Sequence, residues 1–228
     1  MDLKDFLKKS RGSRILVVGD LILDRYIWGK VDRISPEAPV PVVEVTSDTF
    51  MLGGAANVGA NIISLGGQTT VAGVVGKDNA GAMLRRLLEE KGAACAIVED
   101  SRPTTVKTRV IAHNQQVVRF DKEEKGRIRG LVLGTILDFL KQAIAEHDAV
   151  IVSDYKKGVV SAELVKQILK IAKPEGKLVA VDPKAGHFHC YRGVSLVTPN
   201  LAEASSGSGI DIKDERSLLK AGKALMKN

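Results

Sequence analysis

Short apolar runs of strand length alternate along the chain with stretches whose apolar residues recur every three or four positions. RILVVGD (14–20) is apolar enough to be a strand buried on both faces. NVGANIISLGG (57–67) predicts a helix closed by glycine, TTVAGVVG (69–76) the next strand, and NAGAMLRRLLEEKG (79–92) an amphipathic helix with a glycine stop. Further on, LVLGTILDFLKQAIAEH (131–147) predicts a helix, DAVIVSDY (148–155) a strand, and SAELVKQILKIAK (161–173) a helix capped by Ser161. KLVAVDPK (177–184) and VSLVTPN (194–200) complete the series as strands. Such alternation predicts an α/β fold, a mostly parallel sheet flanked by helices.

Two segments depart from the rhythm. Residues 25–46 are β-rich but carry Pro36, Pro39 and Pro41, which suits edge strands better than a central one. Residues 104–122 alternate on either side of Asn114 and predict a hairpin. Together they predict a small β lid projecting from the sheet within a single domain spanning 1–228. The last three predicted strands end in the polar clusters SDY, DPK and TPN. Ligands of open α/β sheets gather at the carboxyl ends of strands, so these clusters outline the rim of one site.

Composition narrows the ligand. Aromatic residues make up only 4% of the chain, which leaves few stacking platforms for single-stranded nucleic acid. The net charge of +7 is spread along the sequence; it suits a small anionic ligand and carries no nucleic-acid patch. Cys95 and Cys190 lack metal-ligand spacing, and reduced thiols are expected. With no apolar run of membrane-spanning length and no signal-peptide pattern at MDLKDFLKKSRGSR, a cytoplasmic protein without membrane partners is expected.

The glycine pair of GGAANVGAN (53–61) opens a predicted helix. A dinucleotide fingerprint needs G-x-G-x-x-G directly after the first strand, and a Walker A loop needs a spacing that GVVGKD (73–78) does not have. What remains is a helix start with a bare backbone at Gly53 and Gly54, followed by Asn57, whose amide is both donor and acceptor. Asp20 and Asp24, at the end of the first strand, add carboxylates for hydroxyl protons. The combination suits a polyol such as a sugar; the competing reading is a glycine pair needed only for tight helix-to-sheet packing. Asn61, one turn past Asn57, extends the polyol contacts or occupies a polar packing position. His187 and His189 form an H-x-H with no carboxylate or cysteine pattern beside it to complete a metal site.

GD-x-x-x-D after the first strand, GGAAN, and N-x-x-E in NLAE (200–203) resemble the motifs of the ribokinase-like, or PfkB-type, carbohydrate kinases. Longer stretches, VVGDLILDRYIWG, RISPEAPVPVV, HNQQVVRFD, SDYKKG, VDPK and LVTPNLAE, are similar to the branch of that family acting on D-glycero-β-D-manno-heptose 7-phosphate. The likeness runs from about residue 13 to about 205. It implies a kinase that uses ATP and Mg²⁺ to form the 1,7-bisphosphate for lipopolysaccharide core assembly, and a homodimer paired through the lid. It implies that Asp20, Asp24, Gly53, Gly54 and Asn57 hold sugar hydroxyls, and that Arg109 and Lys157 meet the substrate's 7-phosphate, with Arg33 and Arg119 as further candidates. It also implies Lys184 on the phosphate path, with Asn200 and Glu203 organising Mg²⁺ largely through water.

The family's G-A-G-D motif, which supplies the catalytic base and an anion hole, is not found in these residues, and GSGID (207–211) does not replace it. A C-terminally incomplete kinase domain, impaired in turnover and with an unpaired sheet edge, is therefore expected, with a non-catalytic sugar-phosphate-binding or dimerisation fragment, or another PfkB-type sugar kinase, as alternatives. Gly59 stands where the family prefers Ser, Thr or Ala and is expected to loosen its helix.

Overall fold

The structure, a computed structural model, describes residues 2, 5, 8 and 10–227. Six strands form the main sheet in the order β10-β9-β8-β1-β4-β5: β1 (Arg14–Gly19), β4 (Gln68–Gly76), β5 (Ala94–Asp100), β8 (Ala149–Ser153), β9 (Leu178–Asp182) and β10 (Leu196–Val197). Every pairing in it is parallel. Side chains alternate between two apolar cores. Leu16, Val18, Ala72 and Val74 pack under α3 (Gly130–Glu146) and α4 (Ala162–Ala172). Val17, Val71 and Val75 point the other way, under α1 (Ala55–Ser64) and α2 (Asn79–Glu90). Burial on both faces explains why the strands read as unbroken apolar runs. Ser161 caps α4 as expected, accepting from the Leu164 N–H.

The lid is a second sheet of four strands, ordered β3-β2-β6-β7: β2 (Leu21–Ile34), β3 (Pro41–Gly54), β6 (Val106–Ala112) and β7 (Gln115–Lys122). The hairpin around Asn114 is present, and its turn residues His113 and Asn114 both have positive φ, 50° and 61°. One expectation needs correcting. The proline-rich segment is not a pair of edge strands, because β2 lies inside the sheet, antiparallel to β3 and parallel to β6. Pro36 and Pro39 lie in the turn, and Pro41, paired with Ile34, begins edge strand β3. Strand β5 was not anticipated, and neither was helix α6 (Glu215–Leu225) after α5 (Leu201–Ser208).

Gly59 also has a packing role that propensity does not disclose. It is buried, and a Cβ there would lie 2.6 Å from Val71 Cγ2, so its bareness lets α1 settle on β4.

Asp78 fastens the lid's root to the main sheet. Its Oδ1 caps α2 by accepting from Gly81 N–H at 2.9 Å and also accepts from Thr104 Oγ1 at 2.6 Å, while Oδ2 accepts from Thr104 N–H at 3.1 Å. Partial burial pushes this carboxyl up, but the Thr104 and Gly81 bonds, helped by Lys122, outweigh it and hold the group below its ordinary 3.8. A depressed carboxylate stabilises the fold fully above its unfolded pKa and loses that contribution as pH falls through the folded value. Urea unfolding followed from neutral pH down through the carboxylate range should show the unsubstituted chain losing more stability than Asp78→Asn; equal losses would contradict this role.

Candidate active site

The chain passes from the main sheet to the lid through Asp20, between β1 and β2. Its carboxylate is 1% exposed and accepts three backbone N–H bonds, from Tyr155 (2.8 Å), Lys157 (3.0 Å) and Val159 (3.0 Å). Burial pushes its pKa up, and the three amides pull the other way. The sequence named Asp20 among the sugar ligands; its geometry instead assigns it to holding the loop after β8, because backbone N–H groups take three of a carboxylate's roughly four acceptor sites and the side chain is closed to solvent.

Asp24 stands in the opposite situation. It projects from β2 on the lid face that also carries Tyr26, with Lys107 its cross-strand neighbour on β6 and Asp121 next in the row on β7. Its Oδ1 accepts from Arg109 Nη1 at 2.5 Å, and Arg109 also lies over the Tyr26 ring at 5.2 Å. The side chain keeps 19% of its surface exposed. Gly53 lies against Asp24 so closely that a Cβ there would overlap Oδ2, and Gly54 would likewise meet the Asp20 carbonyl. Gly54 has φ 56° and ψ −137° as it turns β3 into α1, a conformation natural only to glycine. The packing explanation of the glycine pair therefore holds for both residues, and Gly53 also leaves room for Asp24. Asn57 follows on the first turn of α1, exposed and with no side-chain hydrogen bond among the described residues, as does Asn61 one turn on.

Three of the four cations expected to meet a phosphate are already engaged. Arg109 pairs with Asp24, and Lys157 Nζ makes a close ion pair with Glu123 in which the side chains are 15% and 12% exposed. Arg119 pairs with Asp121 at 3.2 Å, and Arg33 lies exposed near the far end of β2. Lys107 escaped the sequence reading. Its amine lies 5.6 Å over the Tyr155 ring, joining the lid to the β8 loop, and burial followed by repulsion from Lys157 depresses its pKa. The signal was available: Lys107 and Arg109, like Arg119 and Asp121, are two apart on strands and share a face.

At the other end of the rim, Asn200 and Glu203 form a reciprocal capping box at the start of α5. Glu203 is 8% exposed, and its Oε1 lies 3.5 Å from Lys184 Nζ. Asp182, at the end of β9, has its pKa raised by burial and then by the Glu203 charge, so a cation there would be welcome. Among the described residues no group of three His, Cys, Asp or Glu side chains converges as a metal cage. Asp182 and Glu203 thus bring two negative charges to this end of the rim. His187 does not serve such a site: its Nδ1 bonds Asp154 Oδ2 at 2.8 Å. Tyr191 donates to the same oxygen at 2.6 Å and accepts from Lys184 N–H at 3.0 Å, which fixes the Lys184 backbone.

A parallel sheet whose strand ends face a separate β lid, with a carboxylate and a free amide at the junction, is the architecture of the ribokinase-like carbohydrate kinases. Residues 13–228 match the pfkB family of carbohydrate kinases, and the chain belongs to that family of phosphotransferases. It is 44% identical over 227 residues to the bifunctional protein HldE of Citrifermentans bemidjiense, covering 99% of this chain and 47% of that protein. The HldE of Wolinella succinogenes is 47% identical over 223 residues, with 97% and 47% covered. The chain thus spans about half the length of these curated relatives. Phosphofructokinase-2 of Escherichia coli shares the fold at TM-score 0.74 and 20% identity, over 94% of this chain and 70% of that one. A ribokinase of Arabidopsis thaliana complexed with ribose and ATP does so at TM-score 0.68 and 16% identity, over 95% and 69%. No helix among the described residues is long and apolar enough to cross a membrane.

Proposed function

We propose that this chain binds D-glycero-β-D-manno-heptose 7-phosphate and serves its ATP-dependent phosphorylation to the 1,7-bisphosphate, a step toward the lipopolysaccharide core. The observation that carries this reading is a partly open Asp24 packed against the bare Gly53, with an Asn57 that has no side-chain hydrogen bond among the described residues on the helix turn that follows. Asp24 accepts a hydroxyl proton, and Asn57 donates to one oxygen while accepting from the next, which suits adjacent sugar hydroxyls. The extent of the match to HldE proteins supports heptose over other sugars.

In the transfer, the sugar oxygen bonds to the γ-phosphorus as the bond to the β–γ bridging oxygen breaks, ADP departs and the hydroxyl proton leaves to a base. Asp182 and Glu203 would hold a magnesium ion through its waters, and that ion would supply positive charge against the phosphates. Lys184, anchored through Tyr191 and Asp154, presents a cation to the same path. Asp24, Asn57 and the lid orient the sugar, which contributes through positioning.

Calorimetric titration checks the substrate: heptose 7-phosphate should bind at least about tenfold more tightly than ribose, with turnover in Mg-ATP impaired as the missing G-A-G-D base implies. Preferential binding or phosphorylation of ribose would overturn the assignment. Val118 and Phe120, two apart on β7 and sharing one lid face, remain exposed at 47% and 52%, which supports pairing of two lids in a homodimer. Sedimentation should show a dimer that Val118→Glu converts to monomer; a monomeric unsubstituted chain would contradict the pairing.

A further inference from the structure

Beside the mouth lies a cleft of about 580 Å³ between the segment before α3, the loop after β8 and the loop after β9. Lys125, Arg127, Lys156, Lys157, Lys184 and His187 line it, and no carboxylate does. Three of these cations have acidic partners behind the wall: Lys157 and Lys125 on Glu123, and Lys184 on Glu203. Arg127 and Lys156 have no carboxylate within ion-pair distance among the described residues, and both are exposed.

The floor is rigidly built. Arg102 donates to Gly126 O at 2.7 Å and to Lys157 O at 3.3 Å, tying the two loops together, and Ile128 N–H bonds Gly158 O at 3.0 Å. Gly158, at φ 102°, packs against the Gly126 carbonyl too tightly for any side chain. Lys156 is held in the left-handed region, φ 58°, by its N–H bond to Asp154 Oδ1 at 2.7 Å. Such a conformation is unfavourable for lysine and persists only where its surroundings enforce it. It carries the Lys156 amine across the cleft to Gly186, where a Cβ would stand 3.4 Å from Nζ.

We propose that this cleft is a phosphate site, in which Lys156 and Arg127 receive the terminal phosphate monoester of the sugar substrate. It rests on the sugar-phosphate reading above and replaces Arg109 and Lys157, whose charges are already matched. Tyr155 borders the cleft and stacks under Lys107, the cross-strand neighbour of Asp24. The cleft therefore adjoins the mouth through Tyr155 and Lys107, within reach of the far end of a bound sugar phosphate. Arg127 supplies a planar fork for two phosphate oxygens and Lys156 a point charge.

The test compares the unsubstituted chain with the double variant Lys156→Gln/Arg127→Gln, two exposed changes that leave the Asp20, Asp154 and Arg102 anchors intact. Probes are heptose 7-phosphate, dephosphorylated heptose, inorganic phosphate and ATP, each titrated by calorimetry. The double variant should bind heptose 7-phosphate about ten- to a hundredfold more weakly, lose inorganic phosphate binding, and keep its affinity for heptose and ATP. Unchanged affinity for heptose 7-phosphate would overturn the proposal, as would loss confined to ATP, which would assign the cleft to the nucleotide's phosphate chain. If the unsubstituted chain binds neither heptose nor its phosphate, the sugar reading fails and this source of the phosphate fails with it. In that case, loss of inorganic phosphate binding in the variant would still support the anion site itself.

Discussion

Asp20→Ala is expected to destabilise the whole chain by about 3–5 kcal/mol, because it strands three N–H groups at the centre of the fold. The amides of Tyr155, Lys157 and Val159 have no water to turn to, since the carboxylate they share is 1% exposed. Removing the buried charge returns part of its desolvation cost, so the expected loss stays near the lower end of that range. Asp20→Asn should be only partly milder, because its NH₂ group would face N–H donors where a second carboxylate oxygen had been. Urea midpoints at constant m-value measure the effect. A midpoint equal to that of the unsubstituted chain would show that Asp20 is not the clamp described here.

Asp24→Ala should have the reverse profile. Heptose 7-phosphate affinity is expected to fall about a hundredfold, on the order of 2–3 kcal/mol for a lost charged hydrogen bond, while stability changes by about 1 kcal/mol. The partly exposed Arg109 can turn to solvent, and the lid ladder does not depend on the Asp24 side chain. Calorimetric binding set beside thermal unfolding separates the two outcomes. Intact binding in Asp24→Ala with lost binding in a folded Asp20 variant would restore the assignment that the sequence favoured.

The contrast between these two aspartates marks the limit of what the sequence discloses. Both sit in GDLILD, and nothing local distinguishes them. Their difference comes from the loop 155–159, more than a hundred residues away, which turns its amides onto one and not the other. The main sheet was legible because strands such as RILVVG and AVIVS are buried on both faces and separated by helices with caps. Strand β5, ACAIVED, was not: its apolar run is made largely of small residues, ends in two acids, and lies half-buried at the sheet edge. Prolines misdirected the reading of β2, because they cluster in its turn and beyond.

The site divides in the same way. Glu203 and Asn200 could be read three residues apart as a capping box. The engagement of Lys157 could not, because Glu123 lies on a different segment and reaches it only through the fold. The basic cleft is equally silent in sequence, since Arg127 and Lys156 come from separate loops joined by Arg102. Gly59 illustrates the converse: propensity alone suggested a weakened helix, whereas the neighbouring Val71 makes any larger residue collide.

A crystal structure of the chain with heptose 7-phosphate tests the central claim most directly. The account predicts sugar-ring hydroxyls within about 3 Å of both the Asp24 carboxylate and the Asn57 amide, with Asp20 still bonded to its three amides. A ring bound away from the Asp24–Asn57 mouth, or contacts to Asp20 in place of Asp24, would contradict it.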